Sequence, residues 1–160
     1  MIKSKYFLPA LSAICAIAVA VMLLLLMRRG KAPDFTPPAF DGAAQTGLPE
    51  AAGESWTKVH RDGMAFTAYV CGNVAVRGGS ADVYFTNAAD NAVWLKLRIT
   101  DAAGNILGET GVVKPGEYVR SVALDPAPAS NTEIILKIMS YEPETWHSAG
   151  AVSLRTTAGS

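Results

Sequence analysis

The chain has 160 residues, half of them apolar, with fourteen Lys and Arg against fourteen Asp and Glu. That length allows one ordinary globular domain. The formal charge of zero hides a split: all five charges before Ala32 are basic, leaving nine basic against fourteen acidic residues beyond it. No basic excess is left there to neutralise phosphates, which excludes nucleic acid as a general partner.

Phe7–Met27, FLPALSAICAIAVAVMLLLLM, carries no charge. At about 1.5 Å of rise per residue it makes about 30 Å of helix, the thickness of a bilayer core. The sequence therefore predicts a transmembrane signal-anchor helix over 6–28, behind a short cytoplasmic tail, 1–5. A cleaved signal peptide is the competing reading. Ala18-Val19-Ala20 is a small-x-small pattern, but VMLLLLM follows it, and a cleavage site ends an apolar run rather than interrupting it. Ile14 also stands where a lipoprotein box needs a small residue before its cysteine, here Cys15. Lys3 and Lys5 precede the span while Arg28, Arg29 and Lys31 follow it, so flanking charge hardly decides orientation. The short tail and large following domain predict a single-pass protein of the cell membrane, held in the lipid bilayer through 6–28, with its C-terminal domain extracellular.

Residues 29–55 read as a linker. Its Pro, Ala and Gly content and lack of aliphatic periodicity predict a partly extended tether, with Phe35 and Phe40 placed to dock on the domain that follows. From Trp56 to the C-terminus (56–160), short apolar runs recur about every ten residues between turn signals. They predict strands at 63–71, 80–87, 92–100, 105–110, 117–124, 132–141 and 149–157. About seven such strands and no long helical period mean an all-β domain, an immunoglobulin-like antiparallel β-sandwich. Val119, Val122 and Leu124 do not share a parity, which predicts a bulge near them. Alternation assigns the core to Met64, Phe66, Val70, Val83, Phe85, Val93, Leu95, Leu97, Ile99, Ile134, Leu136, Ile138, Val152 and Leu154. Cys71 is alone in the domain, so no intradomain disulfide forms and the core carries the stability. That suits the outside of a Gram-positive cell.

Chemistry-bearing constellations are scarce. His60 and His147 are the only histidines, and neither lies in a G-x-S-x-G or H-E-x-x-H frame. Cys71 and two scattered histidines do not make a zinc site, and Asp101–Asn105 lacks the further acids of a calcium loop. The expectation is a protein that is not an enzyme and holds no cofactor or metal.

The stretch AVWLKLRIT, 92–100, raises the sharper question. Val93, Leu95, Leu97 and Ile99 share one face, and Trp94, Lys96 and Arg98 the other. In an immunoglobulin-like order the strand at 132–141 lies beside this one, and 149–157 beside that. Trp94, Lys96, Arg98, Lys137, Met139, Tyr141 and Arg155 then form one exposed aromatic and cationic sheet face. Three readings stay open: contact with a protein partner, cover by the tether, or no role. A carbohydrate-binding module is the alternative function, with Trp94, Tyr141 and Trp146 stacking on sugar rings. An enzyme accessory domain using His147 is a third.

The run FTNAADNAVWLKLRITDAAGNILGETGVVKPGEYVRSVALD, followed by LKIMSYEPETWHSAGAVSLRTT, resembles a group of small, membrane-anchored β-sandwich proteins of gut Gram-positive bacteria. The matching elements are an Asn-Pro-x-Asn-like turn (Asn87–Asn91), a D-x-x-G-N/x turn (Asp101–Asn105), a Pro-Gly step (Pro115-Gly116) and a closing strand ending in Y-[DE]-P-E-T (Tyr141–Thr145). Ala88-Ala89 stands where such proteins often carry a proline. The resemblance covers about the last 80 residues. It implies an extracellular β-sandwich and brings no activity with it.

Overall fold

The computed structural model describes residues 15–24, 35–50, 56–60 and 63–159. The chain divides into two units, 1–36 and 37–160. In the first, residues 15–24 form a helix, α1, with its side chains exposed. The rest of the predicted membrane span and the predicted cytoplasmic tail lie outside the described residues. Among those described, no helix is long and apolar enough to cross a membrane.

The second unit is all-β. Its strands are β1 (Gln45–Thr46), β2 (Trp56–Val59), β3 (Ala68–Cys71), β4 (Val74–Arg77), β5 (Ser80–Asn87), β6 (Trp94–Asp101), β7 (Ile106–Glu109), β8 (Glu117–Ala123), β9 (Glu133–Tyr141) and β10 (Ser148–Gly159). They form one curled mixed sheet in the order β1-β8-β5-β4-β10-β9-β6-β7, with β3 also on β5 and β2 on β3. Neighbours run antiparallel except β4 and β10, which pair in parallel through Ala158 and Val74. The long β10 makes this closure possible: Ser148–Thr157 lies along β9, and the strand end then reaches β4.

Each of the seven predicted strands has a counterpart, the first of them only over its last four residues, Ala68–Cys71. The additional three carry no clear alternation. β1 has two residues, β2 is a short strand paired only with β3, and β4 buries Val74 and Ala75 in succession. Alternation on β5, β6 and β9 sends Val83, Phe85, Leu95, Leu97, Ile99, Ile134, Leu136 and Ile138 into the interior, each less than about 2 % exposed. Burial of each such side chain contributes about 1.5–3 kcal/mol. Twelve of the fourteen predicted core residues are buried; Met64 and Leu154 are half-buried and pack against the same cluster. Val59, Val74, Leu107, Val113, Val119, Val122 and Leu124, with Ala68, Ala81 and Ala158, complete it.

The predicted irregularity lies between β5 and β8. Asp82 pairs with Ser121 and Phe85 with Val119, so Val83 and Tyr84 face Arg120 alone. The extra residue is on β5, where Tyr84 takes φ 45°, while β8 turns both Arg120 and Ser121 outward. The motif turns serve as joints. Asp101 accepts the Asn105 backbone and side-chain N–H groups at 2.8 and 2.7 Å. Those bonds, the side-chain one foremost, hold the Asp101 carboxyl below its ordinary value. Gly116 adopts φ 77° one residue before Glu117, whose N–H donates to the Lys114 carbonyl. A type II turn reserves that position for glycine.

From Pro37 the predicted linker belongs to the second unit. Val112 N–H donates to the Ala39 carbonyl and Asp41 N–H to that of Val112, both at 2.9 Å. The Asp41 carboxylate accepts the Gly111 N–H at 2.7 Å. A Cβ on Gly111 would lie 2.5 Å from the Asp41 Cα, so only glycine lets the two backbones come this close. Residues 51–55 lie outside the described residues.

Candidate binding face

The β6–β9–β10 order predicted from sequence is observed. Trp94 lies opposite Tyr141, Lys96 opposite Met139 and Arg98 opposite Lys137. Lys137 in turn faces Ser153, and Ile135 faces Arg155. All seven predicted site residues therefore occupy one side of the sheet, because their parity is opposite to that of the buried set.

The cationic half is not open, however. Lys96 is only 9 % exposed. Its Nζ donates to Glu109 Oε1 at 2.6 Å, and Arg98 Nε donates to Oε2 of the same carboxylate at 2.9 Å. Strand β7 brings Glu109 opposite Arg98, and that pairing covers Lys96, which alternation alone reads as solvent-facing. Burial pushes the Glu109 carboxyl upward, but the hydrogen bonds and charges of Lys96 and Arg98 outweigh it and hold it below its ordinary value. Arg155 pairs with Glu133 at 3.1 Å. Lys137 is exposed, and among the described residues it has no carboxylate partner.

A depressed carboxyl stabilises the fold above its unfolded value of about 4.3, and that stabilisation fades as pH falls through the lower folded value. Glu109→Gln should therefore cost residues 37–160 about 1 kcal/mol at pH 7, a modest figure because the carboxylate is partly solvated. The gap to the unaltered protein should close as urea titrations move from about pH 5 to pH 3. A gap that stays constant over that range would rule out the ion pair as its source.

The aromatic half is larger than predicted. Trp94 meets Phe40 edge-on at 4.9 Å between centroids and Trp146 at 4.8 Å. Trp146 also lies 5.9 Å from Phe40 and 6.2 Å from Tyr141. Lys114 Nζ sits 4.6 Å from the Phe40 ring centroid, and the Tyr141 hydroxyl donates to Met139 Sδ at 3.8 Å. Two local devices aim these rings. The Asp41–Gly111 clasp fixes Phe40. In the β9–β10 connection, Trp146 N–H donates to the Glu142 carbonyl, and Glu144 and Trp146 take φ 67° and 59°.

Phe40 is 43 % exposed, and Trp94, Tyr141 and Trp146 are half-buried. The four rings lean on one another yet leave an open apolar surface. Phe40 carries out the predicted docking of the linker on Trp94, but it extends the face rather than sealing it. Lys114 had no signal in the sequence beyond its place before the Pro-Gly step. His147 is exposed on the same connection, 3.9 Å from Glu142. His60 lies elsewhere, its Nδ1 3.2 Å from both the Phe66 carbonyl and the Thr67 hydroxyl. Among the described residues no three His, Cys, Asp or Glu side chains converge as a metal site requires. No protein-family model, curated protein or solved structure matches the chain.

Proposed function

We propose that this chain is a non-enzymatic, membrane-anchored binding module that meets a protein partner outside the cell through Phe40, Trp94, Tyr141 and Trp146. The observation that carries this reading is the open four-ring cluster. Tryptophan and tyrosine dominate the energetics of protein contacts, and these rings are already ordered by backbone clasps, which lowers the entropy lost on binding. The interplanar angles within the cluster, 50–78°, make a ridge. A sugar-stacking platform would need rings nearer one plane, so a protein surface fits better than a glycan. With Lys96 and Arg98 spent on Glu109, the contact is apolar rather than electrostatic. The anchor over 6–28 rests on the uncharged run of the sequence. An immunoglobulin-like sandwich is supported by the β6–β9–β10 order.

A photo-crosslinking residue at position 147, exposed next to Trp146 and introduced into the full chain in living cells, should capture a defined protein adduct. Trp94→Ala in that background should reduce the adduct at least about tenfold, the loss of one hot-spot ring, while the melting temperature falls by only a few degrees. Unchanged capture would remove the aromatic face from the function. Retention on polysaccharide in place of any protein adduct would favour the glycan reading.

A further inference from the structure

The outward side of β5 and β8, apart from the aromatic face, carries a cavity of about 580 Å³. It is an open cleft, with Gln45, Leu48, Glu50 and Arg120 in its walls exposed. The chain leaving β1 turns at Gly47, whose N–H donates to the Gly116 carbonyl at 2.8 Å. Leu48, Pro49 and Glu50 then form one wall, with Pro49 buried. Tyr118 and Arg120 of β8 and Tyr84 of β5 form the other.

Three features of this cavity are hard to explain as scaffolding. Tyr84 holds φ 45°, a backbone state that residues other than glycine rarely adopt, and it lines the cavity. The Arg120 guanidinium sits over that ring, 5.9 Å from its centroid. Among the described residues Arg120 has no carboxylate partner and Glu50, in the same cavity, has no cation. The cavity therefore presents both signs of charge separately. In the same cavity the Tyr118 hydroxyl donates to Gln45 Oε1 at 2.7 Å, which leaves the Gln45 amide N–H groups as donors.

Each group has a chemical preference. A guanidinium fork matches a carboxylate in two parallel hydrogen bonds. Tyrosine rings take apolar or planar groups on their faces. Glu50 accepts N–H donors and repels a second negative charge. We infer that this cavity binds an amino acid or short peptide, with its free carboxylate on Arg120 and its amino end toward Glu50. The site is independent of the aromatic face and stands whether or not that face binds a protein.

The test is calorimetric titration of the full chain in detergent micelles with the dipeptide Ala-Ala, its C-terminal amide, succinate and glucuronate. Ala-Ala should bind with a dissociation constant below about 10 mM, and the amide at least about tenfold more weakly. Arg120→Gln should weaken Ala-Ala by a similar factor with the melting temperature kept. Glu50→Gln should admit succinate, which the unaltered chain rejects. Tyr84→Gly should hold or raise the melting temperature yet lose Ala-Ala, since it relieves the backbone while removing the ring. No heat from Ala-Ala, equal affinity for acid and amide, or tighter binding of glucuronate would each overturn the assignment. The acid-against-amide comparison needs no variant, so it decides the matter even where a substitution disturbs folding.

Discussion

Leu95→Ala is expected to cost residues 37–160 about 3–5 kcal/mol of unfolding free energy. Leu95 is wholly buried in the middle of β6. It is bonded through both backbone groups to Val113, which is also wholly buried. Deleting the isopropyl end of the side chain removes its transfer energy and leaves a cavity that strands on two sides hold open. Against a total stability of about 5–15 kcal/mol for a domain, this is a large fraction, equivalent to roughly 10–20 °C in Tm at this size. The neighbouring Lys96→Ala should cost only about 1–2 kcal/mol, from the lost Glu109 pair and the packed stem. Parallel urea titrations of the two variants check the assignment of faces. Equal losses would place Leu95 and Lys96 in one environment, and the division of β6 into core and surface rows would fail.

Asn87→Ala should cost about 3 kcal/mol, most of it from the Val93 carbonyl and one Asn91 amide N–H left without partners, while the Val113 carbonyl keeps the Leu95 N–H. Asn87 is wholly buried at the end of β5. Its Nδ2 donates to the Val93 and Val113 carbonyls, each at 3.0 Å, and its Oδ1 accepts from Asn91. Asn91 in turn accepts the Thr67 N–H at 2.8 Å and donates to the Thr67 carbonyl at 2.6 Å. Two asparagines thus tie together the approach to β3, the β5–β6 connection and the segment after β7. Asn87→Asp keeps the shape but replaces the donor with an acceptor facing two carbonyls. It should be at least as damaging as alanine. A loss under about 1 kcal/mol for either variant would mean that water replaces these bonds, and that the site is less closed than its burial indicates.

Strand existence was legible because β5, β6 and β9 are each buried on one face and bonded on both edges, so their period-two pattern is strong. Strands β1, β2 and β4 were not, because a pairing as short as the two residues of β1 is selected by its partner strand and leaves no pattern of its own. The candidate face was legible as a row of residues but not as an environment. Parity places Lys96 outward; it takes the long-range arrival of Glu109 on β7 to bury it. Likewise Phe40 and Trp146 reach Trp94 from distant segments, through an aspartate–glycine clasp and two left-handed residues that no periodicity records. The Asn87–Asn91 motif was visible as a turn, and its role as a polar clasp appeared only with its partners in place.

The Asp41–Gly111 contact spans 70 residues of sequence, the Gln45–Tyr118 contact 73, and the Thr156–Gly72 contact 84. Each closes a loop whose entropy must be lost before the contact returns anything. A topology stitched by such distant partners belongs with chains that fold over milliseconds to seconds rather than microseconds. The clasp that presents Phe40 holds an edge segment rather than the core strands, and it is expected to form after the main barrier to folding. Strengthening it would slow unfolding more than it would hasten folding. The lifetime of the aromatic ridge is therefore set by a joint that the rest of the fold does not need in order to form.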